Sequence, residues 1–107
     1  MFPVETISAK MLDYYVGRRD SFIIDLRSRE AFRAGHVKGA VNVPYAEIEE
    51  GKFSLKEKAG SKILILYCNR GGASLKAARI LAAQGWHTRS VIGGFEAYRG
   101  RNLVISG

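Results

Sequence analysis

The sequence predicts an α/β fold, a parallel sheet of five strands covered on both faces by helices. Three observations lead there. Apolar, β-branched runs recur along the chain, each too short for a helix. Segments with helical spacing alternate with them, as the crossover helices of a parallel sheet do. Capping residues and glycines mark the boundaries, as at Ser28, Gly17, Gly35 and Gly85.

In order, Glu5–Ser8 reads as a short first strand leading into a helix with Ser8 as N-cap. Met11, Leu12, Tyr15 and Val16 share one helical face, and Gly17 ends it. Ser21–Leu26 is a buried strand, and Ser28 caps a brief helix through Phe32 that Gly35 stops. Gly39–Val43 is another short strand with Pro44 at its exit. Tyr45–Gly51, carrying Glu47, Glu49 and Glu50, reads as surface helical turns. Lys62–Tyr67 reads as the central strand, since polar residues are absent from Ile63 through Tyr67. A helix from Ser74 to Gln84 presents Leu75, Ala78 and Ala82, with Ala77 and Leu81 beside them. His87–Ile92 is the fifth strand, followed by Gly93-Gly94 and a short helix through Tyr98. No repeat or low-complexity linker interrupts the 107 residues, so one domain, 1–107, is expected.

Composition narrows the function. Lys plus Arg number 17 against 10 for Asp plus Glu, a net charge of +7, which favours anionic partners. The charges are interspersed, however, and no aromatic ladder accompanies a basic stripe, which argues against nucleic acid as a partner. One cysteine and two histidines argue against a structural metal site and exclude an internal disulfide. No apolar run approaches membrane-spanning length, and the stretch beginning Met1-Phe2-Pro3 lacks the pattern of a signal peptide. A cytoplasmic, reducing setting that keeps Cys68 a free thiol is the expectation.

Chemistry concentrates in Cys68-Asn69-Arg70-Gly71-Gly72-Ala73-Ser74, between the central strand and the following helix. Sites in parallel sheets form outside the carboxyl ends of strands. A turn entering a helix there leaves backbone N–H groups unpaired, and a curled loop makes them converge on an anion. Gly71 and Gly72 permit that curl. A thiolate so placed is stabilised and nucleophilic. Arg70 is the cation inside the loop, with a planar donor fork suited to an oxyanion, and is expected to meet an anionic substrate. The alternative at this stage is an inert cysteine at a strand end, with glycines serving only the turn.

Two further motifs accompany the loop. One runs Asp25-Leu-Arg27-Ser-Arg-Glu30-Ala-Phe32-Arg-Ala-Gly35-His36-Val37-Lys-Gly39-Ala40-Val-Asn42-Val-Pro44, and the other Val91-Ile-Gly93-Gly94-Phe95-Glu-Ala97-Tyr98. With the cysteine loop between them, they resemble the single-domain rhodaneses, the thiosulfate sulfurtransferase family. Tyr98 stands where that family frequently has tryptophan. The resemblance spans about Ile23 to Gly100 and implies a rhodanese-like three-layer α/β/α fold with a five-stranded parallel sheet.

It also implies that Cys68 is the catalytic nucleophile at the base of a six-residue loop ending at Ala73. Asn69, Arg70, Gly71, Gly72, Ala73 and Ser74 would bind the substrate, a small anionic sulfur donor such as thiosulfate or another persulfide. Cys68 would carry the sulfur as a persulfide and pass it to a thiol or cyanide, with a partner protein's persulfide as a further exchange partner. No metal or organic cofactor is needed. Many members have arginine where this chain has Ala73, which bears on thiosulfate preference. Phosphatases and arsenate reductases with a related cradle place arginine six positions after the cysteine, and Ser74 stands there. A non-catalytic binding module of the same family commonly lacks the cysteine. Asp25 with Arg27, His36, Trp86 and Phe95 are expected to be structural.

Overall fold

The computed structural model describes residues 4–54 and 61–105. Met1, Phe2 and Pro3 of the amino-terminal stretch therefore lie outside the described residues. Five parallel strands form the main sheet: β1 (Val4–Ser8), β2 (Ser21–Asp25), β4 (Val41–Asn42), β5 (Ile63–Tyr67) and β6 (His87–Ile92), in the spatial order β1-β6-β5-β2-β4. β5 is central, pairing Tyr67 with Asp25 of β2 and Leu66 with Ser90 of β6. Its side chains alternate between two cores, as a pleated strand requires. Leu64, Leu66 and Cys68 pack with Ile24, Ile48, Ala77, Ala78, Leu81 and Trp86 on one face. Ile65 and Tyr67 pack with Leu12, Ile23, Val37, Val91 and Tyr98 on the other. Each fully buried leucine or isoleucine in these layers contributes about 1.5–3 kcal/mol, which explains why β5 is apolar throughout.

Among the described residues, four helices complete the layers: α1 (Leu12–Tyr15), α2 (Arg29–Ala34), α3 (Tyr45–Glu49) and α4 (Gly72–Ala83). Ser28 caps α2 as expected, its Oγ accepting from the Ala31 amide at 3.1 Å, and the Gly35 amide closes the helix on Ala31 and Phe32. Ser8 behaves differently. It precedes a 3₁₀ turn (Ala9–Met11) and its side chain makes no capping bond. Met11 is 38% exposed, because that turn rotates it away from the core that Leu12 enters. α3 is less superficial than its glutamates suggest, since Ile48 is buried beneath it.

A second, two-stranded antiparallel ribbon joins β3 (His36–Val37) to β7 (Leu103–Val104). Neither strand is apparent from the sequence, each being only a residue pair whose partner is distant in the chain. Tyr98 helps hold this carboxyl-terminal return. Its hydroxyl donates to Asp13 at 2.5 Å and accepts from the Asn102 amide at 2.8 Å. Burial and the Asp13 contact push the Tyr98 phenol up to about 12, while the Tyr98 and Asn102 hydrogen bonds hold Asp13 below the usual carboxylate range.

The first sequence motif is a brace around the end of β2. Asp25, fully buried, accepts from the Arg27 amide at 2.8 Å and from the Arg27 guanidinium at 2.8 Å. The same guanidinium donates to the Gly35 carbonyl and lies over the Phe95 ring at 3.9 Å. His36 Nδ1 meets the Phe32 carbonyl at 2.7 Å, and its ring stacks on Phe32. Asn42 donates to the Asp25 and Arg27 carbonyls, and the Tyr67 hydroxyl receives the Val37 amide. These residues satisfy one another and leave no polar side-chain atom orphaned in the described interior.

Candidate active site

Cys68 is the first residue beyond the carboxyl end of β5, and α4 begins at Gly72. The expected start at Ser74 is two residues late. The glycine pair masks the helix start in the sequence, because glycine is a poor helix former and reads as loop. Gly71 sits in the left-handed region at φ 112°, and a Cβ there would press on the Gly93 nitrogen and Val91 carbonyl at 3.3 Å. That turn points two amides back at the sulfur. Gly71 N–H donates to Cys68 Sγ at 3.0 Å and Ser74 N–H at 3.4 Å. Burial pushes the Cys68 thiol up. The Ser74 amide and hydroxyl, with the Gly71 and Arg70 amides, outweigh it and hold the thiol below its ordinary value.

The loop is fixed from behind and from one side. Ser74, fully buried, donates its hydroxyl to the Gly71 carbonyl at 3.0 Å, and its oxygen lies 2.8 Å from that of Ser90 on β6. The turn after β6 supplies the other support. Phe95 N–H donates to the Cys68 carbonyl at 2.8 Å, and Glu96 N–H to the Asn69 carbonyl at 3.1 Å. Gly94 makes this approach possible. A Cβ on it would collide with the Cys68 carbonyl and come within 2.6 Å of the Asn69 carbonyl.

In front of the sulfur is a cavity of about 420 Å³ lined by Cys68, Asn69, Arg70, Gly72, Ala73 and Glu96. Of the residues singled out in the sequence, Asn69, Arg70, Gly72 and Ala73 line this space, whereas Gly71 and Ser74 contribute amides directed at Sγ. Arg70 is 84% exposed in its side chain, and its Nε is held by Glu96 Oε2 at 2.8 Å. Sequence reasoning missed Glu96, Gly94 and Ser90. The Gly93-Gly94 pair was the available signal, but its close approach to the cysteine loop follows from the β5–β6 neighbourhood.

Two outcomes follow for the thiol. Alkylation of native Cys68 by iodoacetamide is expected to titrate at lower pH than in the urea-unfolded chain. Since the native thiol ionises more readily, its contribution to stability is present above the unfolded thiol's pKa and is lost as pH falls through the native one. Gly94→Ala is expected to move the native alkylation midpoint back toward the unfolded value, because the added methyl displaces the carbonyls that anchor the loop. An unchanged midpoint in Gly94→Ala, with circular dichroism confirming the fold, would show that this turn does not hold the cradle.

The fold and site define a class: parallel α/β domains that seat a single cysteine in an amide cradle at the carboxyl edge of the central strand. Within it the family is identified. The chain belongs to the rhodanese-like domain family, which residues 8–101 match. It is 33% identical over 86 residues to thiosulfate sulfurtransferase GlpE of Coxiella burnetii, covering 78% of this chain and 77% of that protein. It is 34% identical over 80 residues to a tRNA sulfurtransferase of Desulfurococcus amylolyticus, covering 75% of this chain but 15% of that larger protein. Among solved structures, the BH2092 protein of Bacillus halodurans superposes with a TM-score of 0.79 at 25% identity, covering 95% of this chain and 77% of that one.

Proposed function

We propose that this protein is a sulfurtransferase that carries sulfane sulfur on Cys68 as a persulfide. The observation that carries the reading is a depressed-pKa thiol whose Sγ accepts two backbone amides at the floor of an open cavity. With thiosulfate, the Cys68 thiolate attacks the outer sulfur. The new S–S bond forms as the old one breaks, and sulfite leaves with the electron pair. The charge on the transferred sulfur is then met by amides of the Asn69–Ser74 loop. An acceptor such as cyanide or a thiolate attacks that sulfur and releases the Cys68 thiolate.

The names of the Coxiella and Desulfurococcus relatives support the same reaction class. A reducing cytoplasm suits it, since this chain has no second cysteine to resolve an oxidised Cys68. Intact-mass measurement tests the proposal. Thiosulfate is expected to add one sulfur atom to the protein, and cyanide to remove it as thiocyanate. No sulfur adduct from thiosulfate or from an organic persulfide would overturn it.

A further inference from the structure

Among the described residues, the chain's +7 charge is not concentrated at the mouth of the Cys68 cavity. Among the described lining residues, the charged side chains other than Cys68 are Arg70 and Glu96, and they are paired at 2.8 Å. Ala73, also on the wall, contributes no charge. Glu96 is not placed there by a mobile side chain alone. Its amide is bonded to the Asn69 carbonyl, which sets its Cα beside the loop and its carboxylate in reach of Arg70. An anionic donor entering this space therefore meets an arginine already paired with an exposed carboxylate of the same chain.

The consequence depends on donor charge. Thiosulfate is a small dianion whose sulfonate end remains near the mouth while its outer sulfur reaches Sγ, so it must displace or share the Arg70 fork. An alkyl persulfide carries its single charge on the outer sulfur, which the amides receive, and its organic end needs no cation at the mouth. We propose that Glu96 is a specificity-determining residue: by occupying Arg70 it biases the Cys68 site toward singly charged organic persulfides and away from doubly charged sulfur oxyanions. This rests on the persulfide reading above. The Cys68 thiolate takes the outer sulfur of R–S–S⁻, the S–S bond of the donor breaks, and R–S⁻ leaves with its electron pair.

The experiment compares kcat/KM for thiosulfate with that for the persulfide of N-acetylcysteamine, whose organic end is uncharged, using cyanide as acceptor. Glu96→Gln keeps the backbone bond to Asn69 and removes the charge. It is expected to raise the thiosulfate value about fivefold and leave the alkyl persulfide within twofold, with the thiosulfate gain shrinking as salt screens the mouth. Arg70→Ala is expected to lower the thiosulfate value about tenfold and the alkyl persulfide value by a smaller factor, so that the donor ratio moves against thiosulfate. Arg70→Lys should recover part of that loss. A donor ratio in Glu96→Gln within twofold of wild type overturns the proposal. Intact mass separates this from the underlying reading. Loading of Cys68 by either donor with an unmoved ratio rejects the role of Glu96 alone, while no loading by either rejects both.

Discussion

Cys68→Ser is expected to abolish sulfur transfer while leaving the fold in place. The hydroxyl fits the same space and can accept the Gly71 and Ser74 amides, so the loop keeps its shape. An alcohol at this position does not ionise near neutral pH, and oxygen does not form the exchangeable sulfur–sulfur bond on which the reaction depends. The loss in kcat/KM is expected to be at least about a thousandfold. Stability should change by no more than about 1 kcal/mol, the scale of an ordinary small substitution. Thiocyanate formation from thiosulfate and cyanide, with intact mass in parallel, checks it. Activity in Cys68→Ser within tenfold of wild type would mean that the cradle acts on thiosulfate without a covalent intermediate.

The second large effect is structural. Asp25→Ala is expected to cost about 3–5 kcal/mol, because it leaves the Arg27 guanidinium charged, uncompensated and out of water. The side chains of the pair are 0% and 5% exposed. For a domain of this size the melting temperature should fall by roughly 15–30 °C. The damage should also reach the site, since Asp25 stands opposite Tyr67, the residue before Cys68, and Leu26 N–H donates to the Tyr67 carbonyl at 2.9 Å. A paired replacement, Asp25→Leu with Arg27→Met, removes both charges and is expected to recover much of the lost stability. A fall of less than 1 kcal/mol in Asp25→Ala, measured by urea unfolding, would show that the brace is redundant.

Much of the fold is legible in the chain because its determinants are local. Ile63–Tyr67 could only be a buried strand, and Ser28 with Gly35 bounds α2 through capping geometry that needs no distant partner. Cys68 was legible for a similar reason. A cysteine at the junction of an apolar strand and a glycine-rich helix start implies converging amides, and the motifs on either side narrow the family. The pairing of Asp25 with Arg27 is local too, two residues apart at one strand end.

The remainder depends on contacts that no sequence window contains. The β3–β7 ribbon joins residues far apart in the chain, so neither half carries a pattern of its own. Met11 turns outward because a 3₁₀ turn, rather than an α-helix, leads out of β1. Ser74 meets Ser90 only because β6 lies next to β5, and Gly94 must be glycine because its turn runs against the Cys68 carbonyl. The charge at the mouth is the sharpest case. The sequence by itself determined that Arg70 sits in the cysteine loop and could meet an anion. Only the tertiary structure decided that Glu96, 26 residues later, meets it first, because electrostatic pairing depends on distance in space and on what the turn after the neighbouring strand brings within reach.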